Sequence, residues 1–262
     1  MTATLNIKLP NSWFDLTEDQ AAFVSRLLFM QLSETDIITR CFLKFAGVKI
    51  LSRDPEWLIT KDEPDGIQVY WFRTKELGKF WLDVDMASTL IHHLDFIIED
   101  ISLFKNPAMI GKYTGCNYRL YGLCLAEWIM LDQFYIAFAK TQRVEFLDKM
   151  LAVTYRKDGE KYSEEEDISK LAMRFRRIKA RDKYIVFLWY TSVKMWLKIK
   201  YYYLFSTGSE TGEQQPADEY VLGLLSSLND GVVANNPQIK LTPAHEVFYE
   251  LNRRIERQQT KM

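Results

Sequence analysis

"KYIVFLWYTSVKMWLKIKYYYLF", Lys183 to Phe205, is the stretch whose reading decides the fold. It is a membrane span, a partner-binding face or the middle of a core. Crossing a bilayer takes about 20 predominantly apolar residues. Here the uncharged run from Tyr184 to Val193 is followed by Lys194, Lys198 and Lys200. Wound at about 100° per residue, Lys183, Phe187, Thr191, Lys194, Lys198 and Tyr202 fall in one stripe. Ile185, Leu188, Trp189, Trp196 and Ile199 cover one flank, and Val186, Tyr190, Val193, Leu197, Tyr201 and Leu204 the other. A helix apolar over most of its circumference is buried and touches water along a seam. Lysine stems can line that seam with their ammonium groups wet. The segment therefore reads as a core helix with Trp189 and Trp196 buried. Its "KYYYLF" end holds more tyrosine than one flank can bury, which makes Tyr201, Tyr202, Tyr203 and Phe205 candidate partner-binding residues.

The rest of the composition agrees with a globular chain. The 262 residues are 48% hydrophobic and 26% charged, enough for one large or two modest domains. Thirty-four Lys and Arg against 35 Asp and Glu give a net charge of -1, so no global field attracts DNA or lipid. Aromatic residues make up 14%, which calls for a large core, an interface or both. The 3 cysteines include no CxxC. Cys116 and Cys124 would stand about 12 Å apart on a helix, too far for a disulfide. Free thiols in a reducing compartment are expected. The start "MTATLNIKLPNSW" lacks a basic, apolar signal pattern, so a cytoplasmic protein is expected.

Along the chain, Thr17 and Gln20 form a capping box before one helix, and a second runs from Ser33 to a stop at Gly47. Between Trp57 and Val84 the period changes to that of strands: "GIQVYWFRT" and "KFWLDV" form a hairpin, with "WLIT" as a third strand before "DEPDG". "DMASTLIHHLDFIIEDI" returns to helix. "FKNPAMIGKYTG" breaks the pattern and is a candidate functional loop. "YRLYGLCLAEWIMLDQFYIAFAK" and "RVEFLDKMLAVTY" are helical. Ser163 and Glu166 form a second capping box, from which one helix, or two in series, runs past Leu204. The expected fold is mainly α, an irregular multi-helix bundle with a small β-hairpin or meander insertion. Residues 1–205 form the helical domain with the insertion at 57–84, 206–217 a Gly/Ser/Gln-rich linker, and 218–262 a C-terminal helical tail whose last helix begins at Thr242.

No constellation carries chemistry. His92 and His93 diverge by about 100° on a helix, placing one toward the core and one toward water. His92 with Asp95 and Glu99 makes half a metal site that no HExxH or second histidine cluster completes. There is no GxSxG, no cysteine in an activating setting, and "IGKYTG" lacks the other residues of a P-loop. No catalytic residue, cofactor or metal is assigned, and a non-enzymatic protein is expected. The one directional charge feature is "KLAMRFRRIKARDK", where Lys170, Arg174, Arg177 and Arg181 fall within about 60° on one helical face. With Glu166 pairing to Lys170, such a face is simply solvated. Alternatively it meets an acidic partner or a phosphate backbone, since Arg forks suit both. The near-zero charge and the lack of a helix-turn-helix, finger or RNP signature count against sequence-specific nucleic-acid recognition, so nucleic acid is not an expected partner.

"LPNSWFDLTEDQ", "TRCFLKFAGVKIL", the hairpin, "LCLAEWIMLDQFY", "FLDKMLAVTYR", "WLKIKYYYLF" and "ELNRRIERQ", in that order, resemble a loose group of uncharacterised helical proteins. These are encoded among virion-morphogenesis genes of tailed phages and prophages. The matching positions are helix caps and core residues. The resemblance implies a protein used in building a particle near the tail, as an assembly chaperone or minor structural component. Its partners would be other virion or tail-assembly proteins or its own copies, with no membrane, in the host cytoplasm or on the virion. The alternative is a nucleic-acid-associated accessory protein acting through Lys170–Arg181.

Overall fold

The computed structural model describes residues 8–51, 69–74, 78–99, 101–157, 160, 162–163, 167–206, 223 and 236–260. The architecture is mainly α with small antiparallel sheets, in two compact units, Met1–Ile101 and Ser102–Met262. The boundary thus falls inside the stretch that the sequence suggested was one 1–205 domain. The expected linker at 206–217 and the "WLIT" strand lie outside the described residues, apart from Ser206.

In the first unit, α1 (Glu18–Phe29) begins where the sequence placed it. Thr17 Oγ1 accepts from Gln20 N at 3.2 Å and Gln20 Oε1 accepts from Thr17 N at 2.9 Å. Ser33 caps α2 (Glu34–Phe45), and Gly47 ends it at a φ of 65°, open to glycine without strain. Val24, Leu27, Ile38, Cys41 and Phe42 form the buried helix faces. The meander β1 (Lys49–Ile50), β2 (Val69–Thr74) and β3 (Gly78–Asp83) contains the expected hairpin, with Trp71 opposite Trp81 and Phe72 opposite Phe80. Phe72 turns inward, its ring 6.2 Å from Phe42 and 5.7 Å from Phe80. The helix expected over "DMASTLIHHLDFIIEDI" is split into α3 (Val84–His92) and α4 (Phe96–Glu99). Tighter bonds from Leu94 N to Ile91 O and Asp95 N to His92 O turn the chain between them, so that Leu94 and Ile97 both enter the core. Both histidines end up exposed, contrary to the expected division between core and water.

In the second unit the expected "FKNPAMIGKYTG" loop is a hairpin, β4 (Met109–Ile110) and β5 (Tyr113–Gly115), paired on to β6 (Tyr155–Arg156). Gly115 is needed there for space: a Cβ would stand 2.8 Å from the Tyr155 ring and 2.9 Å from the Pro107 carbonyl. Helices α5 (Leu125–Thr141) and α6 (Val144–Thr154) pack together. After α7 (Ile168–Ala172), a 3-10 turn at Met173–Phe175 and a bend, α8 (Ala180–Lys200) packs on α6. It is the core helix of the opening stretch, with Val186, Trp189, Tyr190 and Val193 fully buried. The Trp189 indole donates to Tyr118 O at 3.1 Å. Trp196 is half-buried rather than buried. The short α9 (Tyr202–Ser206) follows, and after α10 (Asn236–Leu241) the last helix, α11 (Ala244–Gln259), packs on α5 and α9. Among the described residues no helix is long and apolar enough to cross a membrane.

Two lysines of the expected wet seam on α8 are instead paired with carboxylates of other helices. Lys183 is 2% exposed and pairs with Asp148 of α6. Lys194 reaches Asp132 of α5 at 2.6 Å, and Tyr190 donates to the same carboxylate at 3.0 Å. Both lysines thus point at neighbouring helices. Breaking a buried ion pair strands a charge in low dielectric. Lys183→Met should cost about 3–5 kcal/mol, and adding Asp148→Leu should restore most of the loss. Urea unfolding followed by tryptophan fluorescence reads both effects.

Candidate functional site

One polar and aromatic cluster of the second unit lies where the end of α8, the start of α11 and the 118–124 segment meet. His245, at the start of α11, is the hub. The Arg119 carbonyl can only accept, so His245 Nε2 donates to it at 2.5 Å. Nδ1 then accepts from the Tyr201 hydroxyl at 2.8 Å. Rings of Tyr121, Trp196 and Phe248 lie 4.4, 5.7 and 6.0 Å from the imidazole. The Lys200 ammonium stands 4.7 Å from the Trp196 centroid and 5.2 Å from those of Tyr121 and Tyr201, and it donates to the Tyr121 hydroxyl at 3.0 Å. Cation–π attraction and a hydrogen bond therefore tie the end of α8 to the preceding loop.

Tyr121 also forms one wall of a cleft of about 480 Å³ with Cys116, Cys124, Glu127, Arg156 and Leu241. Its two carboxylates are already engaged. Glu127 accepts from Cys124 N at 2.9 Å, capping α5, and from Arg156 Nη2 at 3.2 Å. On the rim, Glu160 accepts from Arg174 at 2.9 Å and from Lys157 N at 3.2 Å. Burial pushes the Cys124 thiol up to about 11 and raises Cys116 further, so both are protonated at neutral pH. This leaves a charged seam with no thiolate poised for attack. In the first unit His92 meets Asp95 at 2.8 Å, yet no group of metal-ligating side chains is assembled among the described residues.

The four basic residues singled out in the sequence do not share a helical face. Lys170 is on α7, Arg174 in the 3-10 turn, Arg177 in the bend, and Arg181 in the first turn of α8. Phe175 is the physical reason: it is buried against Tyr113, with ring centroids 4.9 Å apart, and the chain turns to seat it. Lys170 pairs with Asp167 at 3.8 Å and Arg181 with Asp182 at 3.8 Å, while Arg174 takes Glu160. Glu166, the expected partner of Lys170, lies outside the described residues.

The aromatic candidates also divide. Tyr201 is 5% exposed and belongs to the His245 cluster, so it presents no surface to a partner. Phe205 is half-buried against Phe248 and Trp128, at 5.5 and 6.2 Å. Tyr203 is half-buried, and Tyr202 is 63% exposed. The sequence reading missed Met195, which is exposed, and Ile199, which is 80% exposed although assigned to an apolar flank. A signal for them exists. Met195, Ile199 and Tyr202 are spaced by four and three residues, and no acidic residue occurs between Lys183 and Lys200. No family model, curated protein or solved structure matches the chain.

Burial holds the His245 imidazole below its ordinary 6.5, with the Lys200 charge adding to the effect and the bond to Arg119 O opposing it. The fold thus prefers the neutral ring. Below about pH 6.5 the unfolded chain takes up a proton that the folded chain resists. Stability should be complete above that pH and decline as pH falls through 6.5 toward the folded value. Thermal unfolding at a series of pH values, compared with His245→Gln, should show this component lost in the variant.

Proposed function

We propose that this chain is a non-enzymatic protein–protein interaction protein serving particle assembly. Following its resemblance, it works in tailed-phage tail morphogenesis as a chaperone or minor structural component. The observation that carries this reading is the exposed apolar row at the end of α8, Met195 and Ile199 one turn apart, with Tyr202 also exposed at the start of α9. A row of this kind on a core helix is what a partner helix or strand would cover. The exposed charges beside it are lysines, Lys198 and Lys200, so the fitting partner presents an apolar centre with an acidic rim. The engaged carboxylates and protonated thiols of the cleft support a binding role over a catalytic one. Phosphate binding through Lys170–Arg181 is less favoured, because Lys170, Arg174 and Arg181 each already meet a carboxylate.

Ile199→Asp tests the reading. Its side chain is largely in water, so folding stability should change by no more than about 0.5 kcal/mol. Partner affinity should fall by about 2 kcal/mol or more, the loss typical of an interface anchor. The expected readout is a lower yield of assembled particles at an unchanged melting temperature. An undiminished yield would overturn the assignment.

A further inference from the structure

The first unit carries a surface of a different kind on its sheet. The register places Lys49 opposite Arg73 and Arg73 opposite Lys79, so three cations form one row across β1, β2 and β3. In the next row Trp71 faces Trp81, and Leu51 N donates to Trp71 O at 3.4 Å. Side chains alternate across a sheet. These two rows therefore occupy the face opposite Phe72, which is buried on the core side. Lys49, Arg73, Lys79 and Leu51 are exposed, and Trp81 is 48% exposed.

Neighbouring strands are about 4.8 Å apart, which crowds three positive charges into about 10 Å. Like charges directly opposite destabilise a sheet. Among the described residues no carboxylate pairs with any of the three. A ligand that relieves this repulsion is anionic along its length. One that also covers the tryptophan row has flat apolar faces beside its charges. An acidic peptide meets the first requirement alone, and a duplex hides its base faces. A single nucleic-acid strand meets both.

We propose that the outer face of the β1–β2–β3 sheet binds single-stranded nucleic acid without sequence preference. Its phosphates lie along Lys49, Arg73 and Lys79, and a base stacks on Trp81 beside Trp71. Stacking on an aromatic ring is sequence-tolerant because every base has a π-face. Its residues are other than those of the α8 row and of the Lys170–Arg181 segment, and it needs no recognition motif. The near-zero net charge means that local cations supply the attraction, so binding weakens with salt.

Fluorescence anisotropy of labelled oligo-dT and oligo-rU of about 12 nucleotides, within the site size of one binding face, tests the proposal. Saturable binding at low salt is expected, with a duplex of equal length bound at least tenfold more weakly. Trp81→Ala should weaken binding roughly tenfold, and Trp81→Phe should recover most of that loss. Arg73→Ala with Lys79→Ala should flatten the logarithmic salt dependence by about 1.4. Arg176→Ala with Arg177→Ala should leave binding unchanged. Melting curves check that each variant is folded. A preference for rU or dT tells whether a ribose hydroxyl is read, and either result upholds the face. Absence of binding, insensitivity to Trp81→Ala in a folded protein, or loss with Arg176 and Arg177 would overturn it. Equal competition by poly-glutamate would also overturn it, pointing to an acidic protein instead.

Discussion

The second unit depends on one electrostatic constraint: the Lys183 ammonium, at the start of α8, lies inside the protein against Asp148. A charge removed from water loses far more than a surface ion pair returns, so it is tolerable only with its counter-charge in place. That requirement sets the rotation and height of α8 against α6. With the helix so placed, Trp189 and Val193 point inward. Lys194, three turns along, arrives at Asp132 of α5, where Tyr190 also donates. Burial and that carboxylate raise the Tyr190 phenol well above its ordinary value, which keeps it a hydrogen-bond donor at every physiological pH. Two acids on two helices thus locate one helix.

Between these polar contacts the aromatic surplus supplies the packing. Tyr135 stacks on Phe187 at 4.9 Å, Phe138 meets Phe187 edge-on at 5.0 Å, and Tyr184 stacks on Phe187 at 5.3 Å. Offset and edge-on pairs of this kind add to the burial of ring area. The α5–α8 interface is therefore an aromatic layer closed by a polar lock. At the far end of α8 the His245 cluster repeats the scheme with Tyr201, Trp196 and Lys200. Much of the unusual aromatic content is spent internally, which makes the few exposed apolar side chains on α8 more informative.

What was legible in the sequence was local. The Thr17 and Ser33 caps, the Gly47 stop and the hairpin strands each follow from chemistry within a few residues, and each is present. The core reading of α8 held for Trp189 because hydrophobic periodicity is strong over 21 residues. It failed where tertiary partners decide. Periodicity places a lysine at the surface, but Asp148, far away in sequence, draws Lys183 inside. Helical spacing aligned Lys170 with Arg181, but the seating of Phe175 against Tyr113 breaks the helix between them. The same competition separated Tyr201 from Tyr202: His245 claims the first and leaves the second in water.

The candidate surfaces show the same division. Strand alternation alone puts Trp71 and Arg73 on one face of β2, and Lys79 and Trp81 on one face of β3. Only the pairing register turns these into rows, and only the β1 contact adds Lys49, from a segment whose sequence reads merely as the exit from a helix. A net charge of -1 conceals this, because it sums the whole chain and says nothing of where the charges stand. Long-range attraction is thereby kept weak, while a bound anion within a Debye length of about 8 Å would still feel all three cations. A surface of this kind would act at contact range, and so would the apolar row proposed as a partner site on α8. Partners of the two proposed surfaces would then be selected by local fit after encounter rather than steered from a distance.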